Sequence, residues 1–221
     1  MIAIFNSFMS EFRMDSSADQ AKTPSERIRA AFEQHGFCVK YFDNGAQAVA
    51  YLSKQTAGKT VSFGGSKTLE ALGAYEALGK QADVHWHWKG DGYMQTPEVY
   101  LTSANAVSET GELVNIDGAG NRVSATLYGP KEVYFVCGVN KLTPDLPSAM
   151  ERAQNIAAPK NAMRLFGDHP DKMTACAAAG GDKCYHCNAP RSICRAIVIH
   201  QGPMLSQERC ELILIGEELG Y

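Results

Sequence analysis

Apolar positions along the chain recur with two periods, and the two take turns. "TPSERIRAAFEQHG" predicts a helix, with Thr23 or Ser25 as cap, Pro24 in the first turn and Gly36 as stop. "FCVKYF" then reads as a strand, "AQAVAYLSKQT" as a helix, and "KTVSFGGS" as a strand entering a glycine turn. "SKTLEALGAYEALGKQ" is helical, and "DVHWHW" alternates as a strand, which sets His85 and His87 on one face. "TPEVYLTSANAVSETGE" holds another strand followed by a turn of helix. "LVNIDGAGNRVSATLYG" shows two alternating runs around Asp117 to Asn121 and predicts a β-hairpin across 112–127. "KEVYFVCGVNKL" is a buried-strand pattern with a polar exit. "DLPSAMERAQNIAAPKNAMRL" is a helix that Pro159 interrupts and Asn161 resumes. After a cysteine-bearing loop, "AIVIH" and "CELILIGEELGY" give two last strands. Strands that alternate with helices predict an α/β fold: a mostly parallel sheet with helices on both faces, plus the antiparallel hairpin.

Composition narrows the function classes. The chain has 221 residues, is 45% hydrophobic and carries a formal net charge of -3. That charge gives no basic field for nucleic acid or for a membrane surface. No apolar run approaches the ~20 residues of a membrane span. "MIAIFNSFMSEFRMDSS" has no Lys or Arg before Arg13, and polar residues break its apolar run, so it does not read as a secretory signal. The expectation is a cytoplasmic protein with an N-terminal tail at 1–23 and one domain at 24–221. Met14 is a second candidate start.

In an open α/β sheet, ligands bind beyond the carboxyl ends of the strands. Gly64, Gly65 and Ser66 form a strand-to-helix turn there, whose N–H groups can hold a carboxylate or phosphate; an ordinary turn capped by Ser66 is the alternative. The turn matches neither a Walker loop nor a dinucleotide fingerprint, so no nucleotide is expected. Glu109 is the catalytic candidate, as base or nucleophile, against a solvated loop carboxylate. Thr110 lies beside it, and Asn115 and Asp117 share a strand face. Asp117 is equally suited to shaping the turn. Asn140 and Lys141 follow a buried strand behind the small Gly138, where Lys141 can meet an anion as a point charge; Arg122 can do so bidentately. "HWHW" offers only two histidines, too few to specify a metal, and reads as core or interface aromatics.

The stretch "CAAAGGDKCYHCNAPRSIC" holds four of the seven cysteines, Cys176, Cys184, Cys187 and Cys194. A reducing compartment disfavours a permanent disulfide knot, and an odd count fits one poorly. Cys184 and Cys187 form the knuckle that puts two sulfurs on one ion, with Cys176 and Cys194 flanking it. An iron–sulfur cluster, a zinc ion and a metal-free redox loop all remain open.

"VSFGGSKTLEALG", "SANAVSETGELVNIDGAGNRVSATLYGPKEVYFVCGVNKL", "AAPKNAMRL", the cysteine loop and "LILIGEELGY" together resemble the LUD (lactate-utilisation) domain family, most closely its lactate-utilisation protein C-like group, over roughly 24–221. The resemblance implies a fold like that of ribose-phosphate isomerases and CoA transferases. It also implies service in the oxidation of lactate or a similar small organic acid. The implied partners are a small anionic metabolite and other lactate-utilisation subunits, with electrons passing through a cluster in this chain or a partner. Two other classes stay open: an acyl- or sugar-phosphate-processing enzyme using Glu109, and a non-catalytic assembly subunit with a metal-stapled loop.

Polar Asp15, Ser16, Ser17 and Asp19 separate residues 1–13 from the first helix. A chain starting at Met14 is therefore expected to melt within a few degrees of the full chain. A larger drop by calorimetry would show that the tail is packed on the domain.

Overall fold

The period-two runs pair into a six-stranded sheet in which every neighbouring pair is parallel. The computed structural model describes residues 24–92, 96–169, 171, 174–188, 190 and 192–221, so the expectation for the tail lies outside the described residues. The sheet contains β1 (Cys38–Phe42), β2 (Thr60–Phe63), β3 (Asp83–His85), β4 (Val99–Thr102), β7 (Glu132–Gly138) and β10 (Arg209–Ile215), in the order β1-β10-β7-β4-β2-β3. Its central strands are buried on both faces, as parallel strands must be. Along β7, Val133, Phe135 and Cys137 join one core cluster, while Tyr134 and Val136 join the other.

Each face has its own cover. On one side lie α2 (Gly45–Thr56), α3 (Lys67–Ala71) and α4 (Ala74–Leu78), which bring Ala48, Leu52, Leu69 and Leu78 to the core. On the other lies α1 (Pro24–Gln34), which contributes Ile28 and Phe32, and a second sheet that contributes Val107 and Leu113. This second sheet runs β8-β5-β6-β9, with β5 (Ala106–Ser108), β6 (Leu113–Asp117), β8 (Leu142–Thr143) and β9 (Ala196–His200). β6 is antiparallel to both β5 and β9. Behind it packs a long helix made of α6 (Leu146–Arg152), one π turn (Ala153–Ala157) and α7 (Ala158–Phe166). Among the described residues, no helix is long and apolar enough to cross a membrane.

Four sequence expectations are corrected. The antiparallel hairpin is present, but its strands are β5 and β6; residues Asn121–Leu127 form a helix, α5, and not the return strand of a hairpin at 112–127. Val123, Ala125 and Leu127 alternate as a strand would, yet the residues it buries are Val123 and Thr126, at helical spacing. Asp117 Oδ1 accepts the N–H groups of Ala119 and Gly120 and so turns the chain into that helix. The segment after β4 is β5 and not a turn of helix. The "DVHWHW" strand stops at His85, because β3 is an edge strand paired only to β2; a 3₁₀ turn follows (His87–Lys89), and the two histidines do not share a strand face. Trp86 turns inward and stacks between Phe63 and Trp88, at centroid distances of 5.3 and 5.2 Å. Pro159 does not break the long helix: the π turn ahead of it places the missing N–H in the first turn of α7.

His200, at the end of β9, joins the layers. Its ring packs edge-on against Phe135 of the first sheet at 5.1 Å, and Nε2 meets Thr126 Oγ1 of α5 at 2.9 Å. The Thr126 hydroxyl donates to Val123 O, so the imidazole nitrogen is the donor to it. Burial pushes the His200 pKa down to about 4. Between pH 6.5 and 4 the unfolded chain therefore takes up a proton that the folded chain refuses. The stability His200 contributes is complete above about pH 6.5 and is lost as pH falls toward 4, by roughly 3 kcal/mol. His200→Gln is expected to flatten this part of the pH–stability curve in urea unfolding; an unchanged slope would assign the loss to other groups.

Candidate functional site

Because the strands of the first sheet are parallel, the ends of β2, β4, β7 and β10 lie on one edge, and the loops that leave them share a cleft. The cleft has a volume of about 490 Å³. One wall is Gly65 to Thr68 after β2, Ser103 to Asn105 after β4, Lys141 after β7, and Gly220 and Tyr221 after β10. The opposite wall comes from the turn after β6, from α7, and from Ser192, Ile193 and Arg195.

Its charge is one-sided. Among the described residues, Lys67, Arg122, Lys141, Arg164 and Arg195 line the cleft against a single side-chain carboxylate, Asp117. These cations differ in what they have left to offer. Arg122 is committed to the wall: Nε faces Asp117 Oδ2 at 3.4 Å, Nη1 donates to Asn115 Oδ1 (2.7 Å) and Ser103 O (3.4 Å), and Nη2 to Ile116 O (2.7 Å) and Asn105 Oδ1 (3.2 Å). A guanidinium has five N–H donors, so none is left for a ligand. Lys67 pairs with Glu70, Arg164 lies on the Trp88 ring at 5.0 Å, and Arg195 donates to the carbonyls of Ser192 and Pro190.

Lys141 is different. It is 3% exposed and ends the 3₁₀ turn Val139–Lys141. Nζ donates to Ser103 Oγ at 2.7 Å and to Thr68 Oγ1 at 2.9 Å. An ammonium has three donors, so one remains for a ligand. Among the described residues no carboxylate pairs with it. Burial pushes its pKa down to about 8, and Arg152 and Arg122 repel its charge further, against the opposing pull of Cys137. The site thus holds a lysine whose charge is incompletely compensated, as an anion-binding group requires.

The other sequence candidates divide by position. Gly65, Ser66 and Asp117 line the cleft with Lys141. Ser66 Oγ accepts the Leu69 N–H and caps α3, and Trp88 packs on Gly65. Gly64 sits just behind, where a Cβ would fall 2.5 Å from Tyr100 Oη and 2.9 Å from Thr102 Oγ1, so no larger residue fits. Asn115 is buried and holds Arg122. Asn140 works on the C-terminal segment: Oδ1 accepts the Leu219 N–H at 3.1 Å, and Nδ2 approaches Gly220 O at 3.5 Å. Glu109 and Thr110 lie in the β5–β6 connection and do not line the cleft; the Glu109 N–H donates to Thr143 O, and Thr110 Oγ1 to Glu112.

Sequence reasoning missed Arg164, Arg195 and Trp88, and it reached Ser103 only as the start of a polar loop at the sheet's carboxyl edge. The signal for Ser103 was its place directly after β4, on the same edge as Gly64 and Lys141. The four cysteines line a second, smaller cavity beside the cleft, and burial together with the other three thiols pushes Cys194 up to about 11. Cys38 is exposed, and Cys210 is buried inside β10.

Arg122→Ala would leave the nearly buried Asp117 and the Asn105 and Asn115 oxygens without their donor. The expected cost is about 3–5 kcal/mol of folding stability, read by chemical denaturation. A loss below about 1 kcal/mol would mean that the network does not hold the wall.

Comparison with known proteins follows this architecture. The LUD domain profile matches residues 25–215. Among solved structures, the chain is similar to a DUF162 family protein from Deinococcus radiodurans, with a TM-score of 0.53 and 12% identity over 88% of this chain and 99% of that one. At that identity the likeness concerns the fold. No curated protein matches the chain. With a match over most of its length, the chain belongs to the LUD domain family.

Proposed function

We propose that this protein binds a small organic anion, a carboxylate or a phosphate, in the cleft at the carboxyl edge of the first sheet, and that it serves the utilisation of lactate or a related acid in the cytoplasm. The observation that carries this is the concentration, among the described residues, of five basic side chains against one side-chain carboxylate in a chain of net charge -3. Lys141 meets the anion with its third N–H. Ser103 and Thr68 stand on either side of that ammonium and can reach a hydroxyl carried by the acid. The second N–H partner is Arg195 or Arg164 from the opposite wall. Trp88, Leu165 and Phe166 give the cleft an apolar part. At about 490 Å³ it has room for more than a three-carbon acid, so a carboxylate with a larger body or a second reactant fits beside it. Membership of the LUD domain family supports lactate as the first acid to test. Glu109, the candidate base of an acyl- or sugar-phosphate-processing enzyme, does not line this cleft.

The charge on Lys141 gives the reading a pH signature. An anion binds the protonated ammonium, and the free site titrates at about 8. Affinity should therefore be nearly flat below pH 7 and fall as pH rises through 8. Lys141→Met keeps the bulk and removes the charge; it should weaken binding by about tenfold or more, the weight of a charge-assisted hydrogen bond. Calorimetric titration with lactate, pyruvate and a sugar phosphate at pH 7 and 9.5 measures both. Equal affinity in wild type and variant would remove Lys141 from the site.

A further inference from the structure

The four cysteines of the 176–194 stretch return to one place. With Gln154, Thr174, Ser192 and their neighbours they line a cavity of about 50 Å³. All seven cysteines of the chain are free thiols. Cys176 is buried on α8 (Ala175–Ala178), and its sulfur shares a hydrogen bond of 3.1 Å with Thr174 Oγ1. The Cys184 N–H donates to Asn155 Oδ1 at 3.2 Å, which hangs the central knuckle on the π turn of the long helix. The His186 N–H points back at the Cys184 sulfur at 3.4 Å, and His186 takes a left-handed φ of 47°. The Cys-x-x-Cys turn curls onto its own first sulfur, and both of its thiols line the same cavity. His186 itself is exposed, so the donor set is the four thiols.

We propose that Cys176, Cys184, Cys187 and Cys194 bind one zinc ion as a tetrathiolate centre that staples this loop to the long helix and to the wall of the cleft. Soft thiolates suit zinc, which takes four of them tetrahedrally at ~2.3 Å. Four protein thiolates fill the coordination sphere and leave no open position, as a structural zinc site requires. As they stand, the sulfurs line the wall without enclosing a point: among the described residues, no three His, Cys, Asp or Glu side chains are drawn together closely enough to hold a metal ion. Binding therefore draws them inward. The freedom comes from Ala179, Gly180 and Asp182, which are exposed and have no core of their own. Four thiols lose four protons as four zinc–sulfur bonds form, so uptake weakens as pH falls.

The staple would reach the cleft. Ala158, Ser192 and Ile193 line both cavities. The Arg195 N–H donates to Asp117 O at 2.9 Å, and a Cβ on Gly118 would fall 2.8 Å from Ile193 O, so the loop's last residues lie directly on the turn that carries Asp117.

The test uses the full chain, purified without chelator, and does not depend on what the cleft binds. Elemental analysis should find about one zinc per chain, and Cys184→Ser and Cys194→Ser should each lose most of it. Removing the zinc should speed hydrogen exchange across 174–195 while leaving the strands of the first sheet protected. Should the variants fail to fold, the wild-type protein still decides. A wild-type protein without zinc, whose thiols react with a disulfide reagent at the same rate with and without added zinc, would overturn the proposal. Iron and acid-labile sulfide in equal amounts, with visible absorption, would overturn zinc in favour of a cluster.

Discussion

The Arg122 guanidinium aims its five donors at Asp117, Ser103, Asn115, Asn105 and Ile116, which belong to the end of β4, the link into β5 and the far end of β6. Those are the places where the first sheet meets the second. Arg152 adds to the same joint from α6, donating to the carbonyls of Asn140 and Asn105. Removing a guanidinium from water is costly, and the geometry offsets that cost only when every donor is met. The arrangement therefore has little tolerance: the two sheets must approach in one register for the acceptors to converge. The cleft owes its shape to that requirement.

The same arrangement sets the electrostatics. Two arginines hold the joint, and one carboxylate, Asp117, stands against them at the cleft. Lys141 emerges from the end of β7 into this surroundings, buried and held by two hydroxyls. A third cation so placed is disfavoured by its lost solvation and by the neighbouring arginines. The cations divide accordingly: Arg122 and Arg152 keep the wall, and Lys141 keeps a free donor. The C-terminal segment closes the same side, since Asn140 binds Leu219 and Thr68 Oγ1 donates to Leu219 O.

Much of this was legible in the sequence. The central strands announce themselves because burial on both faces leaves continuous apolar runs such as "VYFVC", and the edge loops follow from their parallel order. Lys141 and Ser66 were legible for the same reason. Other features depend on tertiary context. Residues 121–127 carry an alternation of Val123, Ala125 and Leu127 that fits a strand, and only the turn made by Asp117 decides for a helix. An arginine such as Arg122 reads as a surface charge unless its acceptors are known, and those come from residues that meet only when the second sheet forms. Glu109 suits a catalytic role only if its loop lies at the first sheet's edge, whereas that loop joins two strands of the second.

The titration of Lys141 itself tests the proposed anion site most directly. Nitrogen-detected NMR of the lysine side chains, assigned with Lys141→Met, reads that midpoint with and without saturating lactate or sugar phosphate. A free midpoint of about 8 is expected, depressed below an ordinary lysine and moving upward when the anion binds. A midpoint that stays in place when the protein is saturated with ligand would contradict it.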